Sequence, residues 1–163
     1  MNKDNLKTTD EVSMKTGKGF ADGLYFDVNM HLQLFDENGN VKQEDFVHNT
    51  VTTAGKAGIA DQILAAPTLA KMGWMAIGTG TPTSTLLDTE VARVAFDTKT
   101  RSTNVVTVVG TFAAGTGTGA ITEAGTFDVV TANTVNMWMS SSFSVINKGA
   151  LDSLVITWTL TIN

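Results

Sequence analysis

The sequence predicts a mainly β protein, an antiparallel β-sandwich or jelly-roll-like barrel with one short α-helix and an extended N-terminal arm. Three observations favour this class. Charged residues make up only 17% of the 163 residues, and threonine, whose β-branched side chain suits strands, is abundant. Several segments alternate apolar and polar residues with a period of two, as half-buried strands do. These segments are short and are separated by Gly, Asn and Thr, a pattern typical of two-layer antiparallel folds.

The chain is predicted to form one domain, residues 24–163, preceded by an arm, residues 1–23. The arm is polar, carries scattered lysines and glycines, and shows no hydrophobic periodicity. Such a segment lacks the apolar residues that a fold of its own requires, so we expect either a frayed terminus or an arm that is ordered against a partner.

The most regular alternation begins directly after the arm. Residues 24–35, LYFDVNMHLQLF, predict a strand with one polar and one apolar face. The apolar face would consist of Leu24, Phe26, Val28, Met30, Leu32 and Leu34. The Asn38-Gly39 pair that follows predicts a tight hairpin turn, because both residues tolerate a positive φ. Residues 41–49 would then return as the second strand.

One segment carries the signals of a helix. Residues 52–67 offer Thr52 or Thr53 as the N-cap and Pro67 as the end. The small apolar face of this helix is expected to comprise Ala60, Ile63 and Leu64.

The rest of the chain is predicted to be strands. Residues 71–78 form an expected core strand, whereas residues 86–96 fit either one helical turn or an extended edge. Further strands are expected at residues 104–112, 120–130, 134–146 and 154–163. The strand at 134–146 would carry Val135, Met137, Met139, Phe143 and Val145 on one side. The last strand would place Leu154, Ile156, Trp158, Leu160 and Ile162 on its apolar face.

The stretch WMAIGTGTPTSTLLDTEVAR, residues 74–93, raises the question of a nucleotide site, because glycines after a strand often begin a phosphate loop. A phosphate loop needs a lysine directly after its last glycine. Here Gly80 is followed by Thr81 and Pro82, and the next cationic residue is Arg93. The dinucleotide fingerprint also fails, because no glycine lies three residues after Gly80. The loop is therefore interpreted as a structural link.

Other candidate sites lack essential residues. A calcium loop beginning at Asp36 would need Gly and Glu where Val41 and Val47 stand. His31 and His48 have no metal-ligating neighbours at suitable spacing, and His31 is expected to be solvated.

Serine and carboxylate side chains give no catalytic set either. The serines Ser140, Ser141 and Ser142 lie within an alternating strand rather than on a nucleophile elbow. Glu90 and Glu123 are isolated in sequence, and an ion pair with Arg93 is the expected outcome. No catalytic, cofactor-binding or metal site is predicted, so we expect a protein that is not an enzyme and has no cofactor.

Net charge and composition restrict the classes of partner and the compartment expected for this chain. The net charge of −5 gives no electrostatic support for nucleic-acid binding. No apolar run approaches a membrane span, and residues 1–19 do not form a signal peptide. The absence of cysteine fits a reducing compartment or a particle assembled in one.

Four motifs, in order, carry a family resemblance: HNTVTTAGKAGIADQIL, MAIGTGTPTSTLLDTEVAR, ITEAGTFD and INKGALDSLVITWTLTI. Together they resemble a family of small virion proteins of tailed bacteriophages, over residues 48–163. The chain departs from that family at Thr126, where a large apolar residue is usual.

The resemblance implies a virion structural protein assembled in the cytoplasm of a host bacterium. The leading expectation is a capsid decoration (cement) protein on the outer surface of the head lattice. Its partners would be the major capsid protein and itself, as a homo-oligomer and most simply a trimer, with residues 1–23 reaching a neighbour. Threonine-rich sheet faces suit such packing.

Two alternatives stay open. One is a tail, baseplate or fibre component, although the sequence shows no repeats or stalk. The other is a carbohydrate-binding β-sandwich in which Trp74, Trp138 and Trp158 are stacking platforms. Trp158 falls on an apolar strand face and is predicted to be core, whereas Trp138 is predicted to be an exposed aromatic or a subunit contact.

Overall fold

Nine antiparallel strands and one short helix make up the part of the chain that the computed structural model describes, residues 24–163. The predicted mainly β class is confirmed, whereas the predicted arm, residues 1–23, lies outside the described residues. The elements are β1 (Phe26–Phe35), β2 (Val41–Val51), α1 (Thr53–Asp61), β3 (Trp74–Gly78), β4 (Glu90–Ala95), β5 (Thr98–Ser102), β6 (Val105–Phe112), β7 (Gly119–Phe127), β8 (Met137–Lys148) and β9 (Ser153–Ile162). They form one curled sheet in the order β4-β3-β7-β8-β2-β1-β9-β6-β5.

The sheet folds into two layers at β2. This strand pairs with β1 along its length, but with β8 only where Thr50 and Val51 lie opposite Ser140 and Met139. We call β2-β1-β9-β6-β5 the first layer and β4-β3-β7-β8 the second layer. The two inner faces share one hydrophobic core. Their contact is close, since a Cβ at Gly110 would come within 2.9 Å of the sulfur of Met75.

The strands with strict alternation fold as predicted, except that β1 begins at Phe26 and Leu24, expected on its apolar face, is exposed. In β1 the buried residues are Val28, Met30, Leu32 and Leu34, and in β9 they are Leu154, Ile156, Trp158 and Leu160. The two strands are neighbours, with Met30 opposite Trp158. Period-two burial therefore builds the centre of the core from the two ends of the described chain.

The predicted hairpin turn joins β1 to β2, but only one of the two residues that were expected to adopt a positive φ does so. Gly39 adopts a φ of 82°, whereas Asn38 is not among the described residues with positive φ. The Asp36 carboxylate instead holds the turn by accepting the backbone N–H groups of Asn38 and Asn40, both at 2.8 Å. Hydrogen bonds from Asn40, above all, lower the pKa of Asp36.

The helix begins where predicted and packs differently. Thr52 is the N-cap and accepts the N–H of Gly55 at 3.0 Å, but α1 ends at Asp61, before Pro67. The expected apolar face is wrong, because Ile63 is 83% exposed. The buried helix residues are Gly55 and Gly58, which lie directly on Trp138. Glycine lets the helix backbone rest on a large aromatic residue without an intervening side chain.

A β-bulge overturns the predicted one-sided face of β8. Phe127 lies opposite Met137 while Thr126 lies opposite Met139, so Trp138 is an extra residue on this strand. Met137 then packs with Phe127 in a small separate cluster, whereas Trp138 and Met139 join the main core. Phe143 packs against the main core as predicted, whereas Val135, which precedes the strand, and Val145, which lies at a second irregularity of the register, are exposed.

The two edges of the sheet were predicted incompletely. Residues 90–95 are extended and form the edge strand β4, so the helical-turn alternative for that segment is wrong. The other edge, β5, was not predicted, because TKTRS has no apolar alternation and is exposed throughout.

Candidate interaction face and the Gly-Thr-Gly loop

The Gly-Thr-Gly loop is organised by a buried carboxylate. Glu123 of β7 is 0% exposed and accepts the backbone N–H groups of Gly80, Asp88 and Thr89 at 3.2, 3.0 and 2.8 Å. Gly78 leaves the necessary room, since a Cβ there would lie 2.9 Å from the Glu123 carboxyl carbon. An incoming phosphate would meet this carboxylate rather than a cradle of free N–H groups.

Glu90 and Arg93 form the second anchor on the outer side of the second layer. The guanidinium donates to both Glu90 oxygens at 2.8 Å, and both side chains are almost fully buried. Arg93 also donates to Val129 O at 2.9 Å and stacks 3.7 Å above the ring of Phe127. The expected ion pair with Arg93 is therefore made by Glu90, whereas Glu123 bonds to backbone.

These anchors fasten loops to the sheet. Glu90 additionally accepts the N–H of Asn133 at 2.9 Å, which ties the segment between β7 and β8 to β4. Beside it, burial raises the pKa of Asp128, and the charge of Arg93 opposes that rise. Both buried carboxylates, Glu90 and Glu123, thus hold backbone in place.

The histidines lie on the outer face of the first layer. His31 stacks on Phe46, with ring centroids 4.1 Å apart and planes 6° apart, and its Nε2 lies 2.7 Å from Glu44 Oε1. His31 is thus half-covered, not freely solvated as expected. His48 Nδ1 lies 3.3 Å from Asp27 Oδ1. Within residues 24–163, no group of three or more His, Cys, Asp or Glu side chains is arranged to hold a metal ion.

The serines are brought near one histidine by the fold, which the sequence did not indicate. Ser140, Ser141 and Ser142 line a polar cleft of about 220 Å³ together with His48. The hydrogen bond of Ser141 Oγ goes to Ser142 O, and the ring contacts of His48 go to Asn29 and Asp27.

An uncharged surface covers the outside of β5, β6 and β9. The registers place eleven residues on it: Thr98, Thr100, Ser102, Val105, Thr107, Val109, Thr111, Val155, Thr157, Thr159 and Thr161. We call this set the threonine face. From the spacings of strands and residues, these three strands span roughly 14 by 25 Å, or about 350 Å². A standard interface uses about 800 Å² per partner, so this face supplies somewhat less than half of one.

An aromatic groove borders the threonine face. Phe46 is 71% exposed, which is unusual for a phenyl ring on a sheet. With His31, His48, Thr157 and Thr159 it lines a groove of about 480 Å³. The sequence did not predict this groove, because Phe46 lies in a strand whose apolar and polar residues alternate only weakly.

The tryptophans do not form the stacking platforms that the carbohydrate-binding alternative would use. Trp158 is 0% exposed, which confirms its predicted core position. Trp138 is 7% exposed beneath α1, so the prediction of an exposed aromatic is wrong. Trp74 is half-buried against the cluster of Ala76, Leu87, Phe127 and Met137.

Thr126, the point of departure from the family pattern, is 0% exposed. Its hydroxyl accepts the N–H of Met139 at 3.2 Å, next to the bulge that turns Trp138 inward. Threonine thus satisfies a backbone donor that an apolar residue would leave unbonded.

In the described part of the chain, no helix has the length and apolar character needed to cross a membrane. Comparisons of this chain with protein-family models, with curated proteins and with solved structures find no match.

Proposed function

We propose that this chain is a virion structural protein of a tailed bacteriophage, and most specifically a capsid decoration (cement) protein on the outer surface of the head lattice. Its partners are then the major capsid protein and further copies of itself, in a homo-oligomer such as a trimer. The observation that carries this proposal is the threonine face, because a surface without formal charges costs less to desolvate on assembly than a charged one.

The anchored loops support the same proposal. Buried carboxylates at Glu90 and Glu123 hold long connections rigidly against the second layer. A subunit of a lattice loses little conformational entropy on assembly when its loops are already fixed.

Copy number per particle tests the proposal. Quantitative mass spectrometry of purified virions, measured against the major capsid protein, is expected to find hundreds of copies. A few to a few dozen copies would instead favour a tail, baseplate or fibre component. Absence from the particle would refute both structural roles.

A variant tests the threonine face itself. Thr159→Lys places an ammonium at the centre of the face, and burying it unpaired costs several kcal/mol. We expect binding to undecorated heads to weaken by roughly 100-fold. Thr81→Lys, at an exposed position in the Gly-Thr-Gly loop, is the matched control and is expected to bind normally. Equal binding by both variants would exclude this face as the contact.

One observation favours a second candidate, a carbohydrate-binding module. The groove at Phe46 combines an exposed ring with hydroxyl, amide and imidazole groups. Retention of the protein on a glycan surface, lost in Phe46→Ala, would support this candidate.

A further inference from the structure

An exposed apolar segment follows α1. We call residues 62–70, QILAAPTLA, the apolar loop. It contains no charged residue, and every residue from Ile63 to Ala70 is exposed. Ile63 is 83% exposed and Leu64 is 56% exposed. Contiguous aliphatic side chains in solvent are typical of a surface that binds another apolar surface.

Hydrogen bonds across the apolar loop fix its shape. The Asp61 carboxylate accepts the backbone N–H groups of Thr68 and Leu69 at 3.0 and 2.9 Å. Gln62 Nε2 donates to Leu69 O at 3.2 Å. The loop therefore presents its apolar side chains in an ordered form, which reduces the entropy lost when it binds.

An open apolar pocket adjoins the loop, between α1 and the first layer. Its volume is about 200 Å³, and Gln62 belongs both to its wall and to the apolar loop. Its apolar lining comprises Ile59, Met72, Val106, Trp138, Leu160 and Ile162. A cavity of about 150 Å³ accepts benzene, so the four-carbon side chain of a leucine or isoleucine fits this pocket.

The loop and the pocket together approach the size of a contact between two proteins. Nine residues form the loop and nine line the pocket, with Gln62 in both, so the combined surface has seventeen residues. A standard interface uses about 20–30 residues on each side. Because loop and pocket adjoin, two copies that face each other can each place a loop over the other's pocket, so that one contact covers both features on both copies.

We propose that the apolar loop and this pocket form a contact between copies of the chain, with Ile63 and Leu64 of one copy over the pocket of another. This inference goes beyond the virion role, because it concerns the purified protein in solution. Copy number in virions does not bear on it, so the two proposals fail separately.

Analytical ultracentrifugation of the full chain tests the proposal. We expect a species larger than the monomer at about 100 µM protein. Leu64→Lys places an ammonium against the apolar lining and near Lys71 and Lys99, which line the same pocket, so self-association is expected to weaken roughly 100-fold. Leu151→Lys is the matched control and is expected to associate like the unchanged protein. Leu151 is 64% exposed and precedes β9, at the opposite end of that strand from Ile162.

NMR locates the contact. In a sample that mixes labelled and unlabelled copies, isotope-filtered spectra are expected to show NOEs between the Leu64 methyl groups of one copy and the Trp138 ring or the Ile162 methyl groups of another. Three results would overturn the proposal. The first is a monomer at about 1 mM protein. The second is equal association of Leu64→Lys and Leu151→Lys, and the third is association without these NOEs, which would assign the contact to another surface such as the threonine face.

Discussion

Replacing Glu123 is expected to release the Gly-Thr-Gly loop from the second layer. Glu123→Ala removes a fully buried carboxylate and leaves the N–H groups of Gly80, Asp88 and Thr89 without their acceptor. A hydrogen bond to a charged group contributes about 1.5–3 kcal/mol, and bonds to one acceptor are not additive. We therefore expect a loss of about 3–4 kcal/mol in the free energy of unfolding.

Urea denaturation and amide hydrogen exchange measure this loss. For a chain of this length, a loss of that size lowers Tm by roughly 10 °C. Exchange is expected to accelerate most at the amides of Gly80, Asp88 and Thr89. Glu37→Ala, at an exposed position in the first hairpin turn, is the control and is expected to change stability by less than about 0.5 kcal/mol. A loss below about 1 kcal/mol for Glu123→Ala, with unchanged protection of the three amides, would refute the reasoning.

Two further changes probe the helix contact and the turn between β8 and β9. Gly58→Ala improves helix propensity by about 1 kcal/mol but drives a Cβ to within 2.6 Å of the Trp138 ring, so urea titration is expected to show a net loss of about 1–2 kcal/mol. A stabilised variant would contradict this packing. The hydrogen bond from Lys42 lowers the pKa of Asp152, so the stabilisation is complete above the usual value of 3.8 and is lost as pH falls through the folded pKa. Asp152→Asn is accordingly expected to flatten the acid limb of a stability-against-pH profile, and an unchanged limb would count against the assignment.

The sequence predicted those parts of the fold in which one residue in two is buried without interruption. β1 and β9 follow that rule, and so their faces, their turn signals and the core position of Trp158 were readable. β8 breaks it, because its register against β7 is irregular twice, at Trp138 and again between Ser142 and Ile146. A bulge depends on the partner strand, and periodicity within one strand does not contain that information.

Contacts between residues far apart in sequence explain the other differences between the predictions and the structure. Gly55 and Gly58 looked like weak helix residues, yet they are the contact surface for Trp138, more than 75 residues away in sequence. Glu123 looked isolated because its hydrogen-bond partners are backbone groups, which have no sequence signature. The threonine face was expected in general terms, but the registers of three strands were needed to assemble it.

The position of β9 has a consequence for how the protein is made. This strand is synthesised after the other eight, yet it fills the gap between β1 and β6 and contributes Thr157, Thr159 and Thr161 to the threonine face. Pairings between segments far apart in sequence form late, once the later segment has been made. A polypeptide terminated before β9 therefore lacks both a closed first layer and the surface proposed for assembly, and such unfinished copies are expected not to assemble.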